Sequence, residues 1–550
     1  MKKLFTILLL LTFAQAKSQA PNWLWGRTAP STGWGEGWSV ATDASNNVFF
    51  TGDYEYSISF GSTNFTSPSY TVFLAKYDSS GNVLWAKSPG GLGGAFCGAV
   101  ATDNFGNSFV TGRAQYYPVY FDTDSINLTG GRDIFITKYD SGGNELWVRG
   151  FDGTGTPSSN AITTDSNGNS YITGYFMSPS INFGTYTLTG SSTTNINMFL
   201  VKLDPLGNVL FAKTVSCTGA SGGNGVCTDN SGNVYATGYF GNSIAHFGSD
   251  SLINSHTVNF FIVKYDNNGN EIWVKGTNGI GIAEGISIAS DSYGNTFTTG
   301  YFDSLSINFD LVHLTNTTRG NFFIVKYDSL GNAKWAQTTS GSNTSQSWTV
   351  DADPSGNSYV SGHIYNNLLP VTFDTITLPP PLVPIDIMFL VKYNPCGRVV
   401  FAELLPSGGD DNNSVSVSPS GSIYIGGDFD QSSYVFGNDT VIDALGSETV
   451  FIAKSSNKAS PPCNIEGLNE VDVKENTLIY PNPVTDKLNV QVNNNEPTEI
   501  ILYDLSSRKL LQQIFTNTTT INTEQLAKGM YLYTVRNRNG IIKNGKVIKQ

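Results

Sequence analysis

The chain has 550 residues, of which 39% are hydrophobic, 12% aromatic and only 14% charged, with 58 Gly and 22 Pro. Charged residues normally make up about a quarter of a soluble protein, so the Lys- and Glu-rich faces of helices are scarce and a mainly helical fold is excluded. A formal net charge of −13 removes the basic footprint that nucleic acid requires. With 4 His, none paired at ligand spacing, and 5 Cys without a C-x-x-C, there is little from which to build a zinc or redox centre, and no cofactor is expected.

The first predicted element is an address. Lys2 and Lys3 precede the apolar run Leu4 to Phe13, and small residues follow at Ala14-Gln-Ala16 and Ser18-Gln-Ala20. A spanning helix needs about 20 apolar residues, so residues 1–20 read as a secretory signal peptide rather than an anchor. No later segment approaches spanning length.

Between residues 21 and 458 the chain repeats itself. The run Lys76-Tyr-Asp-Ser-Ser-Gly-Asn-Val-Leu-Trp85 returns at 138–147, 202–211, 264–273, 326–335 and 392–401, and a second marker, a Gly ending a short strand, stands at Gly52, Gly112, Gly174, Gly238, Gly300, Gly362 and Gly427. Seven units follow, each with four strand-like segments, as in a propeller blade. The first-to-second and third-to-fourth connections share the form D-x-x-G-N, in which Asp caps a type I turn and Gly takes the left-handed position; Asn46 fills that slot once. Asp266-Asn-Asn-Gly-Asn-Glu271 superficially suggests a calcium loop, but repetition at hairpin positions argues for turns. The repeated Lys is expected at the blade surface. An extra strand, Asn22-Trp-Leu-Trp-Gly-Arg27, precedes the first unit while the seventh lacks its fourth strand, so the expected fold is an all-β seven-bladed β-propeller closed by an N-terminal outer strand. The repeats resemble the bacterial seven-bladed repeat family called SBBP, which implies a fold and no common chemistry. The pattern from Asp140 to Gly150 also resembles the tryptophan-docking motif of quinoprotein dehydrogenases, which implies a Trp packed between neighbouring blades.

Function is expected where the repeats disagree, on loops carried by a rigid scaffold. Seven positions before the end of the first strand's Asp the units read Glu36, Phe96, Ser158, Gly222, Glu284, Gln346 and Asp411; five before it they read Trp38, Gly98, Asn160, Asn224, Ile286, Trp348 and Asn413. The long connections between second and third strands, such as 176–197, are expected to crowd the same face. Carboxylates (Glu36, Glu284, Asp410, Asp411), Gln346 and indoles (Trp34, Trp38, Trp348) around one channel mouth are what a glycan-binding surface uses, since indoles stack on apolar sugar faces while acids and amides bind hydroxyls. The alternative is that the indoles pack under loops and the acids are solvated. The same acids would also suit a hydrolase or lyase, although no motif singles out a pair. The leading expectation is a non-enzymatic binding or adhesion scaffold for an unknown glycan or protein ligand; a structural surface component is the third class.

Cys217 and Cys227 flank one loop and could form a local disulfide in an oxidising exterior, with Cys396 and Cys463 the next pair, or be small buried residues. Residues 459–476 read as a Ser/Pro/Asn-rich linker. Beyond it the charge changes sign and strand-like alternation resumes, as in Lys487-Leu-Asn-Val-Gln-Val492 and Met530-Tyr-Leu-Tyr-Thr-Val535, predicting a small C-terminal β-sandwich over 477–550. Tyr480-Pro481-Asn482-Pro483, the strand ending Leu502-Tyr503-Asp504, Leu526-Ala-Lys-Gly529 followed by Met530-Tyr531, and the closing Lys546-Val-Ile-Lys549 resemble the type A C-terminal sorting domain of type IX secretion. The resemblance implies partnership with that secretion machinery and delivery to the cell surface or the medium. Ser506-Ser507-Arg508 replaces the family's usual Gly after the Tyr-Asp strand.

Overall fold

The computed structural model describes residues 21–461 and 478–550, apart from short stretches within them that include 406–412 and 444–448. Residues 1–20, on which the signal-peptide expectation falls, and most of the 459–476 linker lie outside the described residues. The chain divides into two compact units, Met1–Pro461 and Pro462–Gln550. Both are all-β, and no helix occurs among the described residues.

In the first unit a four-stranded antiparallel array recurs seven times. In the fifth repeat it runs Ile282–Ser290, Thr296–Asp303, Asn321–Tyr327 and Ala333–Ser340, neighbours in sequence pairing as neighbours in the sheet. The third strand is buried along its whole length, as at Asn321–Tyr327, because neighbouring repeats cover both of its faces. In the seventh array the fourth strand is Trp23–Ala29 from the N-terminus, paired antiparallel with Thr449–Ser455. The first strands of successive repeats touch in order, and Asn413–Val417 of the seventh touches Gly35–Thr42 of the first.

The turns are stabilised from within. Asp43 Oδ1 accepts the backbone N–H groups of Ser45 and Asn47 at 2.9 Å, while Asn47 Nδ2 donates to Asp43 Oδ2 at 2.8 Å; Asp266 and Asn270 repeat the pattern. Both carboxylate oxygens are thus used by the turn itself, which explains the motif without calcium. Asn46 has φ 63°, beside 75–86° for the Gly in that slot elsewhere.

The repeated Lys is not a surface residue. Lys76 and Asp43 are only 4% and 3% exposed and lie 3.4 Å apart; the ammonium sits 4.7 Å above the Phe49 ring and donates to Ser141 O in the next repeat's turn. Lys138 with Asp103 and Lys264 with Asp229 repeat this staple. The correction has a plain cause: the long stem places the charge beneath the following repeat, where a carboxylate and a turn carbonyl compensate its burial. The Trp of the fourth strand docks beside it. Trp85 Nε1 donates to Ser141 O, and the next turn's Gly143 lies flat on the indole, leaving no room for a Cβ. Trp147 and Trp335 do the same with Pro205 and Pro395. Trp25 of the N-terminal strand donates to Ser79 O, a turn of the first repeat.

The connections between second and third strands are more ordered than free loops. Most fold into short hairpins, such as Ser306–Phe309 with Val312–Thr315, and each repeat inserts one Phe beneath the connection. Phe60, Phe121, Phe183, Phe247, Phe309, Phe373 and Phe436 pair with the third-strand residues Phe73, Phe135, Phe199, Phe261, Phe323, Phe389 and Phe451 at centroid distances of 4.9–5.6 Å. These segments therefore cover the blade as much as they decorate it.

The second unit packs a three-stranded sheet, Leu478–Tyr480, Lys487–Gln491 and Thr518–Asn522, with a four-stranded one, Lys509–Phe515, Thr498–Tyr503, Gly529–Asn537 and Gly540–Lys549. Val484, Leu488, Val490, Ile500, Leu502 and Val535 form their shared core. Asn482 accepts from Ile548 N and donates to Lys546 O, both at 2.9 Å, which joins the Pro-Asn-Pro run to the closing strand. Tyr531 O–H donates to Ala527 O at 2.7 Å, bracing the turn before Gly529.

Candidate functional site

The first strands of the repeats carry a shared irregularity. Their pairing with the second strand slips by one residue, leaving Trp38, Gly98, Asn160, Asn224, Ile286 and Trp348 as the extra residue of a β-bulge. A bulge re-aims a side chain out of strand alternation, and here all six positions, with Asn413 of the seventh repeat, line one cavity of about 1100 Å³. The bulge also explains the marker Gly: a Cβ at Gly52 would sit 1.9 Å from Glu36 O, and one at Gly300 2.0 Å from Glu284 O.

Chemically the bulge positions differ. Asn160 Nδ2 donates to Gly223 O at 3.0 Å, and Asn224 Nδ2 donates to Gly285 O and to Glu284 Oε1, both at 2.9 Å. Burial raises the Glu284 carboxyl above its ordinary range, an effect that the Asn224 amide moderates. Trp348 Nε1 donates to His363 Nδ1 at 3.2 Å, and the Asn413 amide donates to the same nitrogen at 3.3 Å. Two donors on Nδ1 make it the acceptor, so His363 is neutral with its proton on Nε2; burial holds its pKa down to about 4.

In the first repeat Asp53 occupies the place of His363. It is buried, accepts Cys97 N at 2.8 Å, and is pushed well above the carboxylate range by that burial and by the nearby Glu36, against the pull of Arg113. The Arg113 guanidinium lies 4.6 Å over the Phe96 ring. Trp38 Nε1 is buried beside the Asp53 carboxyl, where it favours the ionised form, and its ring packs against the core shared by the first and second repeats.

Of the residues expected at the site, Trp38, Glu284, Gln346 and Trp348 line the cavity together. Glu36 is not among the lining residues but lies near enough to act on Asp53, and Trp34 precedes the first strand, 50% exposed and away from the cavity lining. Asp410 and Asp411 lie outside the described residues. Asp53, Arg113 and His363 were not singled out from sequence. Their signal was the position after the marker Gly, which reads Asp53, Arg113, Tyr175, Tyr239, Tyr301, His363 and Asp428.

The expected Cys217–Cys227 disulfide is absent: both are buried thiols. Cys217 packs in the core shared by the third and fourth repeats and donates to Gly219 O, whereas Cys227 packs in the core shared by the fourth and fifth, so the sheet separates them. Cys396 is disulfide-bonded, and its expected partner Cys463 lies outside the described residues. Among the described residues no group of three or more His, Cys, Asp or Glu is placed to hold a metal ion, and no helix is long and apolar enough to cross a membrane.

Comparison with known proteins separates the two units. Residues 478–550 match the secretion system C-terminal sorting domain family. The C-terminal unit is therefore a type IX sorting domain, and it directs the chain to export, at the cell surface or into the medium. The chain is similar to an uncharacterized WD repeat-containing protein, L264, of Acanthamoeba polyphaga mimivirus, with 25% identity over 341 residues. That match takes in 49% of this chain and 24% of the viral protein, so the chain spans about a quarter of its relative's length. Among solved structures, a europium-containing methanol dehydrogenase covers 78% of this chain and 93% of its own at 10% identity and a TM-score of 0.38. The extracellular domain of BT4673, a one-component system of B. thetaiotaomicron, covers 96% and 99% at 9% identity and a TM-score of 0.16.

Proposed function

We propose that residues 21–458 form a closed seven-bladed β-propeller of the SBBP kind, joined by a 459–476 linker to the sorting domain, and that after signal-peptide removal the exported chain acts as a non-enzymatic binding or adhesion scaffold. Closure is supported by Trp23–Ala29 completing the seventh array and by four bonds from that array to the first repeat's 79–81 turn: Trp25 and Lys454 to Ser79 O, and Arg27 to Ser80 O and Gly81 O. The observation that carries the binding role is the ring of bulges. Six copies of one backbone device present Trp, Gly, Asn, Asn, Ile and Trp to one cavity, whereas the parts that build each blade, the Lys staple and the paired Phe, barely vary. Variation at the cavity wall over a constant frame is the pattern of ligand recognition on a fixed scaffold.

The test is an array of polysaccharides and surface proteins probed with the full exported chain, with released products assayed in parallel. Saturable binding without turnover is expected. Product release would move the protein to the polysaccharide-active hydrolases or lyases, and self-association without any soluble ligand would make it a structural surface component.

A further inference from the structure

The cavity mouth has two unlike walls. Trp348, Asn413 and Trp38 come from the sixth, seventh and first repeats, which are consecutive in the ring of touching strands. Asn160, Asn224 and Glu284 come from the third, fourth and fifth, again consecutive. In the closed ring proposed above, on which this inference rests, the indole–amide–indole wall faces the amide–amide–carboxyl wall across the channel. We propose that this mouth binds the end of a neutral polysaccharide, with a pyranose ring stacked on the indoles of Trp38 and Trp348 and its hydroxyls held by Asn160, Asn224 and Glu284.

Three observations select this class of ligand. The apolar C–H face of a pyranose matches an indole, while its hydroxyls can donate to the side-chain oxygens of Asn160, Asn224 and Glu284; the two amide N–H groups already bond Gly223 O, Gly285 O and Glu284 Oε1. The groups at the mouth disfavour anionic sugars: the Asp53 and Glu284 carboxyls line it, and Arg113, the one cation among the described lining residues, is already placed over Phe96 and next to Asp53. A cavity of about 1100 Å³ holds more than a single ring.

The experiment is calorimetric titration of the full exported chain with cellohexaose, mannohexaose and chitohexaose, and with an alginate hexasaccharide as the anionic probe. At least one neutral probe binds saturably, and Trp38→Ala and Asn224→Ala each weaken it at least tenfold, while Trp34→Ala, outside the cavity, leaves it unchanged. Trp38→Phe keeps an aromatic ring against the core, so an intermediate affinity with unchanged melting separates lost stacking from misfolding. Binding of alginate alone, or of a neutral probe with full affinity in both alanine variants, overturns the inference but leaves the scaffold reading standing. Failure of every neutral probe also overturns it; the array described above then decides separately whether the scaffold reading falls too. Cleavage of a bound neutral probe would keep the sugar site and overturn the non-enzymatic role.

Discussion

Replacing Phe309 with Ala tests whether the connections between second and third strands are structural. Phe309 is fully buried, 5.0 Å from the Phe323 ring and 5.8 Å from that of Phe260 in the preceding repeat. Removing a fully buried Phe side chain forfeits about 3 kcal/mol of transfer free energy. The rings of Phe260 and Phe323 sit on paired strands and cannot collapse into the gap, so a cavity penalty adds to this and the expected loss is about 3–5 kcal/mol. Leu311, at the tip of the same hairpin, is wholly exposed, and Leu311→Ala should change stability by less than about 0.5 kcal/mol. Urea unfolding of both variants, followed by far-UV circular dichroism, gives the comparison. Equal midpoints for the two variants would refute the structural role of the buried ring and return these segments to the class of free loops.

Three further outcomes are expected. Glu403 accepts from Trp23 Nε1 at 3.2 Å, but burial still pushes its carboxyl up to about 7, and its second oxygen has no partner. Because the folded pKa lies above the ordinary value of 4.5, its stabilising contribution is complete below pH 4.5 and is lost as pH rises towards 7; Glu403→Gln should remove about 3 kcal/mol of that decline, read from urea midpoints across pH 4.5–7.5. Asn482→Ala breaks both bonds from the Pro-Asn-Pro run to the closing strand, and should lower the exported fraction several-fold by immunoblot of medium, surface and periplasm; unchanged export would separate that junction from recognition. Alkylation of the denatured, unreduced chain should label Cys97, Cys217 and Cys227 but not Cys396 on peptide mapping, and protection of Cys217 and Cys227 would reinstate the local disulfide.

Much of the fold was legible because its devices are local. Asp, Gly and Asn at fixed offsets build a turn from their own atoms, so Asp43-Ala-Ser-Asn-Asn47 announces itself wherever it stands. The tail was legible for a similar reason, since Asn482, Gly529 and Tyr531 each mark a particular turn or junction. The seven-fold Phe is equally present in the sequence, but it lies in segments of uneven length, where no fixed spacing marks it as core. Of the candidate site, Trp38, Trp348, Glu284 and Gln346 were found by alignment of the repeats, whereas Trp34 was grouped with them on residue type alone. Asp53 and His363 were missed because their importance depends on a neighbouring strand's bulge.

Residue order by itself determined the all-β class, the seven-fold period, the turn chemistry and the export address, since each is written in contacts between residues a few positions apart. Tertiary structure alone decided the rest. It buried the repeated Lys beneath the next repeat, put Cys217 and Cys227 in separate cores, and turned the bulged side chains towards one cavity. These outcomes depend on which surfaces meet across some sixty residues of chain, and desolvation and steric exclusion act only once those surfaces have met.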